Sequence, residues 1–363
     1  MRIFGRLGIL ACAVVACAAS PVYTVTELGS LVGSTTTAFA VSANGQAAGW
    51  EVDPLGDTEA LVFGGAGPTN LLAGSAWSQG QATGINSLGL VSGTVWSNGT
   101  AHGLIWSAGA SVDLGANTSA AAINDAGQVA GSGSQAFLYQ NGVRTDLGTL
   151  PGGSWSLAEG LSGNGDVAGY GDTASGIRGF VWTPGSGLTQ LGTLGGGSSY
   201  GMGVNDAGEV AGSAAVGSGY LHAASWLGGT ATDLGTLGGG NSYAYGINDA
   251  GEIAGYSWIV GNGSTHAFVV LNGVMVDLNS LLTPADSGWV ITAAYGINDQ
   301  GQIVGEGLYQ GQSYAILLND PPPLPAGSES SGSGSSVPEP GTWIHAGGAL
   351  LLGALRHKLS RRR

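Results

Sequence analysis

A short turn with the sequence Asn-Asp-Ala-Gly, or a variant of it, returns along the chain in one fixed setting. Its clearest copy, residues 123–131, reads Ile-Asn-Asp-Ala-Gly-Gln-Val-Ala-Gly. Seven copies are present, and three of them are degraded. Their turn glycines lie 38 to 50 residues apart, at Gly45, Gly89, Gly127, Gly165, Gly208, Gly251 and Gly301. A repeat of this size indicates one supersecondary unit copied around a closed or stacked array.

The repeat unit predicts four short strands, as the copy that starts at residue 232 illustrates. Strands are expected at 232–237, 243–247, 252–257 and 266–271, with residues 238–242 as a loop. Four strands in about 40 to 45 residues match one propeller blade, so we predict an all-β, seven-bladed β-propeller over residues 23–320. If each blade begins at its Gly-Ile-Asn strand, residues 23–31 complete the last blade and close the ring. A stacked β-solenoid is the alternative, although blade loops absorb the variable spacing more easily.

The turn residues have a local explanation. Asn and Asp side chains cap a type I turn through their own backbone, and the following Gly takes the left-handed conformation that closes a bulged hairpin. Calcium ligation by the repeated Asp is the alternative, although no ligand ladder of the calcium-loop type accompanies it. The glycine runs at 195–197 and 238–240 are not phosphate loops, because no Gly-Lys-Ser/Thr follows them.

Charge and cysteine content exclude several classes of function. Between residues 20 and 336 the chain carries 22 acidic and two basic residues, a net charge of −20. Such a surface repels phosphate backbones, so no nucleic-acid partner is expected. Both cysteines, Cys12 and Cys17, lie near the N-terminus. The remainder of the chain therefore has no disulfide, thiolate metal site or cysteine nucleophile.

The N-terminus has the pattern of a secretory signal peptide, predicted as a helix over residues 1–19. Arg2 and Arg6 precede an apolar run that ends in small residues. Cleavage by signal peptidase is expected after Ala18 or Ala19. Lipidation of Cys17, which lies in a loose match to a bacterial lipobox, is the alternative to ordinary cleavage.

The C-terminus contains three further segments in a fixed order. Residues 321–336 form a Pro/Gly/Ser linker, and the sequence Val337, Pro338, Glu339, Pro340 follows it. Next come an apolar run over residues 342–355, expected to form a short transmembrane helix, and a basic end. At about 21 Å this helix is shorter than the bilayer core of about 30 Å, which suits transient insertion.

Residues 337–363 resemble the PEP-CTERM sorting signal of Gram-negative bacteria. The resemblance implies that an exosortase, a membrane-embedded cysteine peptidase, recognises Pro338, Glu339 and Pro340 and processes the chain near them. It also implies transient anchoring in the inner membrane, followed by placement at the cell surface or outside the cell. A plain C-terminal tail anchor is the alternative.

The repeats resemble the HAF repeats of probable extracellular bacterial proteins. His266-Ala267-Phe268 carries the signature, together with Leu-Gly-Thr-Leu-Gly-Gly and Gly-Ile-Asn-Asp-x-Gly nearby. Partial matches start at Gln135 and His222. The resemblance implies an extracellular location and no known chemistry.

Aromatic residues near the Gly-Ile-Asn strands are the candidate ligand site. The four are predicted on or beside the loop that precedes this strand, where propeller loops share one face: Trp155, Tyr200, Tyr243 and Tyr295. Their rings could stack on sugars, such as those of an exopolysaccharide, or they could instead pack between blades.

The sequence offers no catalytic, cofactor-binding or metal-ligating set. The histidines at 102, 222 and 266 have unrelated spacings and no ligand motif, and the departures from the repeat at Glu159 and Asp172 have no partner that sequence identifies. We therefore expect a non-catalytic binding propeller of a biofilm or matrix. A purely structural matrix protein is the first alternative, and a polysaccharide hydrolase is the second.

Overall fold

Each copy of the repeat forms one four-stranded antiparallel sheet in the computed structural model, which describes residues 22–33 and 35–319. The first strand is β1 (Thr24–Glu27), and blade 1 follows with β2 (Thr36–Val41), β3 (Ala47–Val52), β4 (Thr58–Gly64) and β5 (Gly67–Asn70). Blade 2 contains β6 (Gln79–Ile85), β7 (Val91–Ser97), β8 (Thr100–Ser107) and β9 (Ala110–Ala116). Blade 3 contains β10 (Ser119–Ile123), β11 (Val129–Ser132), β12 (Ala136–Gln140) and β13 (Val143–Gly148).

The remaining blades follow the same order. Blade 4 contains β14 (Ser156–Leu161), β15 (Val167–Thr173), β16 (Gly176–Thr183) and β17 (Gly187–Gln190). Blade 5 contains β18 (Gly195–Val204), β19 (Val210–Val216), β20 (Leu221–Leu227) and β21 (Thr230–Gly235). Blade 6 contains β22 (Gly238–Ile247), β23 (Ile253–Ile259), β24 (Thr265–Leu271) and β25 (Val274–Asp277). Two short 3-10 helices, Leu278–Leu281 and Pro284–Asp286, lead to blade 7, with β26 (Trp289–Ile297), β27 (Ile303–Tyr309) and β28 (Gln312–Asn319).

The hydrophobic core is divided among the interfaces between neighbouring blades. Ala48 of blade 1, for example, packs with Ile85 and Leu104 of blade 2. A similar cluster joins each consecutive pair of blades. The series returns to its start, because Leu61 of blade 1 is buried with Val304 of blade 7. The sheets therefore form a closed ring, and the predicted all-β, seven-bladed propeller is confirmed.

The N-terminal strand completes the last blade. Strand β1 pairs antiparallel with β28, so that Thr24 lies opposite Asn319 and the sheet order is β1-β28-β27-β26. Just before it, Tyr23 is 2% exposed and its N–H donates to the carbonyl of Leu281 at 2.7 Å. The sequence predicted this closure, and it covers the free edge of β28.

A β-bulge interrupts the innermost strand of every blade at the same position. The inner strands are β2, β6, β10, β14, β18, β22 and β26, and in each the register with the second strand shifts across one unpaired residue. A glycine of the second strand lies opposite the residue that precedes the bulge. At Gly255 an added Cβ would lie 2.1 Å from the carbonyl oxygen of Tyr243, and the other six blades show the same conflict. The bulge therefore requires glycine there.

The Asn-Asp turns link neighbouring blades as well as shaping the chain. All seven turn glycines have φ between 72° and 88°, as their left-handed conformation predicted. The Asn248 side chain donates to the carbonyl of Asn298 at 3.1 Å, and Asn298 donates to the carbonyl of Ser42 at 2.9 Å. Equivalent side-chain bonds cross the other five interfaces, so these bonds form a closed circle at the C-terminal ends of the inner strands.

One sequence prediction was wrong and others lie outside the described residues. Residues 238–242 are not a loop, because β22 begins at Gly238, which pairs with Ile259, and a second register shift lets the strand continue. The predicted signal helix (1–19), linker (321–336) and sorting segment (337–363), with its transmembrane helix, are outside the part that the structure describes. Within residues 22–33 and 35–319, no helix is long and apolar enough to cross a bilayer.

Candidate functional site

The seven inner strands surround a central channel with a cavity of about 210 Å³. The seven bulge residues form what we call the channel ring, and all except Tyr295 line this cavity; in blade order they are Phe39, Thr83, Ala121, Glu159, Met202, Tyr245 and Tyr295. A bulge residue has no partner across the ladder, and a bulge re-aims the side chain that it carries. The fold thus brings the bulge residues of six blades to the cavity.

The channel ring is the position at which the repeats differ most in chemistry. The residues on either side of it keep their character from copy to copy: a small Ala or Gly comes before, and Gly or Ala followed by Ile, Val or Leu comes after. At the ring itself the seven blades carry aromatic, hydroxyl, small, acidic and thioether side chains. The surrounding positions serve the fold of each blade, while the ring residues give the channel its chemical asymmetry.

Aromatic side chains from five consecutive blades form an arc along the first and second strands. One run joins blades 4 and 5, where the Trp155 and Tyr170 ring centroids are 6.1 Å apart and those of Tyr170 and Tyr200 are 5.2 Å apart. A second run crosses blades 6, 7 and 1 with successive centroid distances of 4.9 to 6.3 Å through Tyr243, Tyr256, Tyr245, Tyr295, Phe39 and Trp50. We call these nine residues the aromatic arc.

All four predicted ligand-site residues belong to the aromatic arc, although three of them are not in loops. Trp155 lies in the loop before β14, whereas Tyr200, Tyr243 and Tyr295 lie within inner strands. The four do not form one isolated group: Trp155 and Tyr200 belong to the first run of rings, and Tyr243 and Tyr295 belong to the second. Tyr200 and Tyr295 contact rings of adjacent blades, so interblade packing is part of their role. Trp155 and Tyr243 contact rings of their own blades, and all four residues keep some exposure.

The loop that carries Trp155 is fixed by Asp172 on the neighbouring strand. The Asp172 carboxylate accepts the N–H groups of Ser154 at 2.7 Å and Trp155 at 2.8 Å, and it also accepts the Ser154 hydroxyl. Burial alone would raise the pKa of Asp172, but these hydrogen bonds hold it below its usual range. Asp172 therefore fixes the backbone that carries the Trp155 indole.

Tyr243, Tyr245 and Tyr295 remain neutral over the physiological pH range. Burial, followed by the proximity of Tyr256 and Tyr200, raises the pKa of Tyr243 to about 12. Burial is also the main cause that raises the pKa of Tyr245 and of Tyr295 above the usual range. These three side chains are thus uncharged rings whose hydroxyls both donate and accept hydrogen bonds.

Glu159 is the acidic member of the channel ring. Burial raises the pKa of its carboxyl to about 7, and a hydrogen bond with the Tyr170 hydroxyl acts in the opposite direction. The side chain keeps some exposure because it lines the channel. Phe39 and Tyr295 are three blades away from it in either direction, the largest separation in a ring of seven. Glu159 therefore lies across the ring of blades from Phe39 and Tyr295, and of these two Phe39 also lines the cavity.

Sequence reasoning noted Glu159 as a departure from the repeat but did not place it, and it missed Phe39 and Tyr245. The available signal was positional, because each channel-ring residue lies two places before the Ile, Val or Leu that precedes the turn. An alignment of the seven copies on that Ile, Val or Leu would have identified all seven channel-ring residues. Its exposure to a channel depends on the bulge, which the pattern of residues did not reveal.

His102, His222 and His266 are equivalent residues of three blades, and each has an acidic partner. Nδ1 of His102, His222 and His266 lies 2.7 to 3.0 Å from a carboxylate oxygen of the Asp eleven residues later. Their spacing looked unrelated because other blades lack the histidine. Burial would raise the pKa of Asp277, whereas the hydrogen bond and charge of His266 lower it overall. Over the described ranges, no group of three or more His, Cys, Asp or Glu residues is arranged to hold a metal.

Comparison with solved structures finds propellers at low identity. The β-propeller domain of the trilobed protease from Pyrococcus furiosus, which has an open velcro topology, matches with a TM-score of 0.48 and 11% identity over 67% of this chain and 84% of its own. YCF48 bound to a D1 peptide matches with a TM-score of 0.48 and 12% identity over 85% and 99%. A gluconolactonase from Xanthomonas campestris gives a TM-score of 0.41 and 11% identity over 82% and 89%. No protein-family model matches the sequence, and no curated protein matches it significantly.

Proposed function

We propose that this protein is an exported surface or matrix protein whose propeller binds an exopolysaccharide at the aromatic arc. The observation that carries the proposal is the contrast between repeated and varied positions. Turns, bulges and glycines repeat around the ring, whereas the channel ring varies, and three of its members, Phe39, Tyr245 and Tyr295, join rings of the aromatic arc, which spans five neighbouring blades. Partly exposed tyrosine and tryptophan rings that carry polar atoms suit stacking on sugar faces.

Export and sorting are the second part of the proposal, and they rest on the sequence of the two ends. Signal peptidase would remove residues 1–19, and an exosortase would process the chain near Pro338, Glu339 and Pro340 after transient insertion in the inner membrane of a Gram-negative bacterium. Mass spectrometry of the secreted protein should then find both ends trimmed. Recovery of intact Arg363 from cells with an active exosortase would argue against this route.

A glycan array is the test of the binding function, with the chain lacking both ends, residues 22–320, as the probe. We expect saturable binding to at least one polysaccharide, weakened about tenfold or more by Trp155→Ala or Tyr243→Ala. The matched control is Tyr220→Ala, which removes a tyrosine that is 51% exposed and not part of the aromatic arc. Thermal unfolding confirms that each variant folds. A blank array would favour the purely structural matrix protein.

A further inference from the structure

We propose that the central channel binds an organic cation, the protonated amine of an amino sugar, between the Glu159 carboxylate and the aromatic rings that face it. This inference rests on the proposed glycan-binding function and names the class of sugar that it selects. A neutral hexose would use only the stacking surface. An amino sugar would in addition place its ammonium group inside the channel.

The first support is the pairing of one carboxylate with an aromatic wall. Glu159, Phe39 and Tyr245 line the same cavity, and Tyr295 packs between Tyr245 and Phe39 with centroid distances of 5.3 and 4.9 Å. Aromatic faces attract cations through their quadrupole, most strongly where water is excluded. The carboxylate supplies the opposite charge and a hydrogen-bond acceptor on the other side.

The second support is the shape and composition of the channel. Its cavity of about 210 Å³ has the volume of roughly seven water molecules at ~30 Å³ each, enough for one sugar unit or a trimethylated ammonium group. Among the cavity-lining residues of the described chain, Glu159 is the one charged side chain. The channel therefore favours a single positive charge and offers an anionic ligand only repulsion.

The titratable residues near Glu159 lie on the strands that pack against β14, and each has another contact. The strands packed against β14 are β10, β11, β12, β15 and β18. These strands carry four titratable residues. Tyr170 hydrogen-bonds Glu159, and Tyr200 packs on Tyr170. Asp172 is hydrogen-bonded to the Trp155 loop, and Tyr139 packs against Ile123 and Val129 on the other side of blade 3. Glu159 is therefore the group whose ionisation would govern cation binding near neutral pH.

The experiment measures binding of matched small probes to the full-length protein by titration calorimetry. Glucosamine, N-acetylglucosamine and glucose share one ring and differ at the amine. Near neutral pH, glucosamine should bind at least about tenfold more tightly than the other two, and Glu159→Gln should remove that preference. Glu27→Gln, a change at an exposed carboxylate of β1, is the matched control and should leave it intact.

A second pair of probes keeps the test valid even if Glu159→Gln folds poorly. Choline is positively charged at every pH, and 3,3-dimethylbutan-1-ol is its neutral isostere. Because the raised pKa of Glu159, about 7, means that its carboxyl becomes neutral below that pH, choline affinity for the unmodified protein should fall about tenfold or more on acidification to about pH 5.5. The isostere should show no such dependence.

The outcomes separate this inference from the proposed function. Equal affinity for glucosamine and glucose, or choline binding that ignores pH and Glu159→Gln, would overturn the cation site and leave glycan binding standing. Absence of binding to every sugar on the array would overturn the proposed function itself. Selective, Glu159-dependent binding of the amine would support both.

Discussion

The first asparagine of each Asn-Asp turn makes bonds within its own turn and across to the next blade. The Asn248 Oδ1 accepts the N–H groups of Ala250 and Glu252, while its Nδ2 donates to the carbonyl of Asn298. Asn248 is 4% exposed, so water has little access to replace these hydrogen bonds if the side chain is removed. One side chain thereby fixes the turn and the angle between two blades.

Two blades show how the interblade bond survives loss of this asparagine. Blades 1 and 4 carry Ser42 and Ser162 in its place. There the residue two positions later is asparagine, and Asn44 or Asn164 donates to the next blade at 3.2 or 3.0 Å. The donor has moved two places along its turn and the acceptor one place along the next turn, to the carbonyls of Ser87 and Asp206, so the circle of bonds remains closed.

A pair of substitutions in blade 6 tests this exchange. Asn248→Ser should lower the free energy of unfolding by about 0.5–1.5 kcal/mol, because it removes the interblade hydrogen bond to the Asn298 carbonyl, which then keeps the Gly301 N–H as its donor. Adding Ala250→Asn, which copies the arrangement of blades 1 and 4, should restore much of the loss. Urea denaturation measures both. Equal stability of the single and double variants would show that the donor does not exchange in this way.

The inner strand depends on a bulge and an opposing glycine that act together. Gly255 faces the residue before the bulge, and an added Cβ would lie 2.1 Å from the Tyr243 carbonyl oxygen and 2.6 Å from Cζ of Phe268. Backbone and a packed ring surround the site, so neither contact is relieved by moving a flexible side chain. The glycine that recurs four places after each turn glycine is therefore a requirement of the bulged sheet.

Gly255→Ala and Gly263→Ala form a matched test of this requirement. We expect Gly255→Ala to lower the free energy of unfolding by about 3 kcal/mol or more, at the upper end of overpacking effects. Gly263 lies in a loop of the same blade with no heavy atom within 4 Å of an added Cβ, so its substitution should change stability by less than about 0.5 kcal/mol. Calorimetric melting compares the two, and similar melting temperatures would contradict the steric argument.

The whole ring depends on contacts between the two ends of the propeller sequence. Tyr23 packs with Leu278 and Ile316 in the cluster between blades 6 and 7, and β1 covers the edge of β28. This segment begins shortly after the expected signal-peptide cleavage sites at Ala18 and Ala19. Cleavage there leaves the closing strand intact, so trimming and ring closure are compatible.

Removal of the closing strand tests its contribution. A chain that starts at residue 29 should be less stable by at least about 3 kcal/mol than one that starts at residue 22, because it loses the buried Tyr23 and the β1 ladder. The uncovered edge of β28 should also promote self-association. Urea denaturation and light scattering measure the two effects. Identical midpoints and a monomeric truncated chain would show that ring closure does not depend on β1.

The sequence by itself determined the number of blades, the strand type and the turn chemistry, because these follow from local rules that each copy repeats. It also predicted the closing role of the N-terminal strand, since a ring of sheets leaves one edge to cover. Residues 238–242 were missed as strand because glycine runs favour loops, and only pairing with Ile259 holds Gly238 in the sheet.

Only the tertiary structure decided which side chains meet. Glu159 and Phe39 are 120 residues apart in sequence and three blades apart in the ring, and neither position carries a local signal of contact. The bulge turns both toward one channel, and closure of the ring brings them to opposite walls of the same cavity. Local physics specified the blade, whereas the geometry of seven blades around one axis created the site.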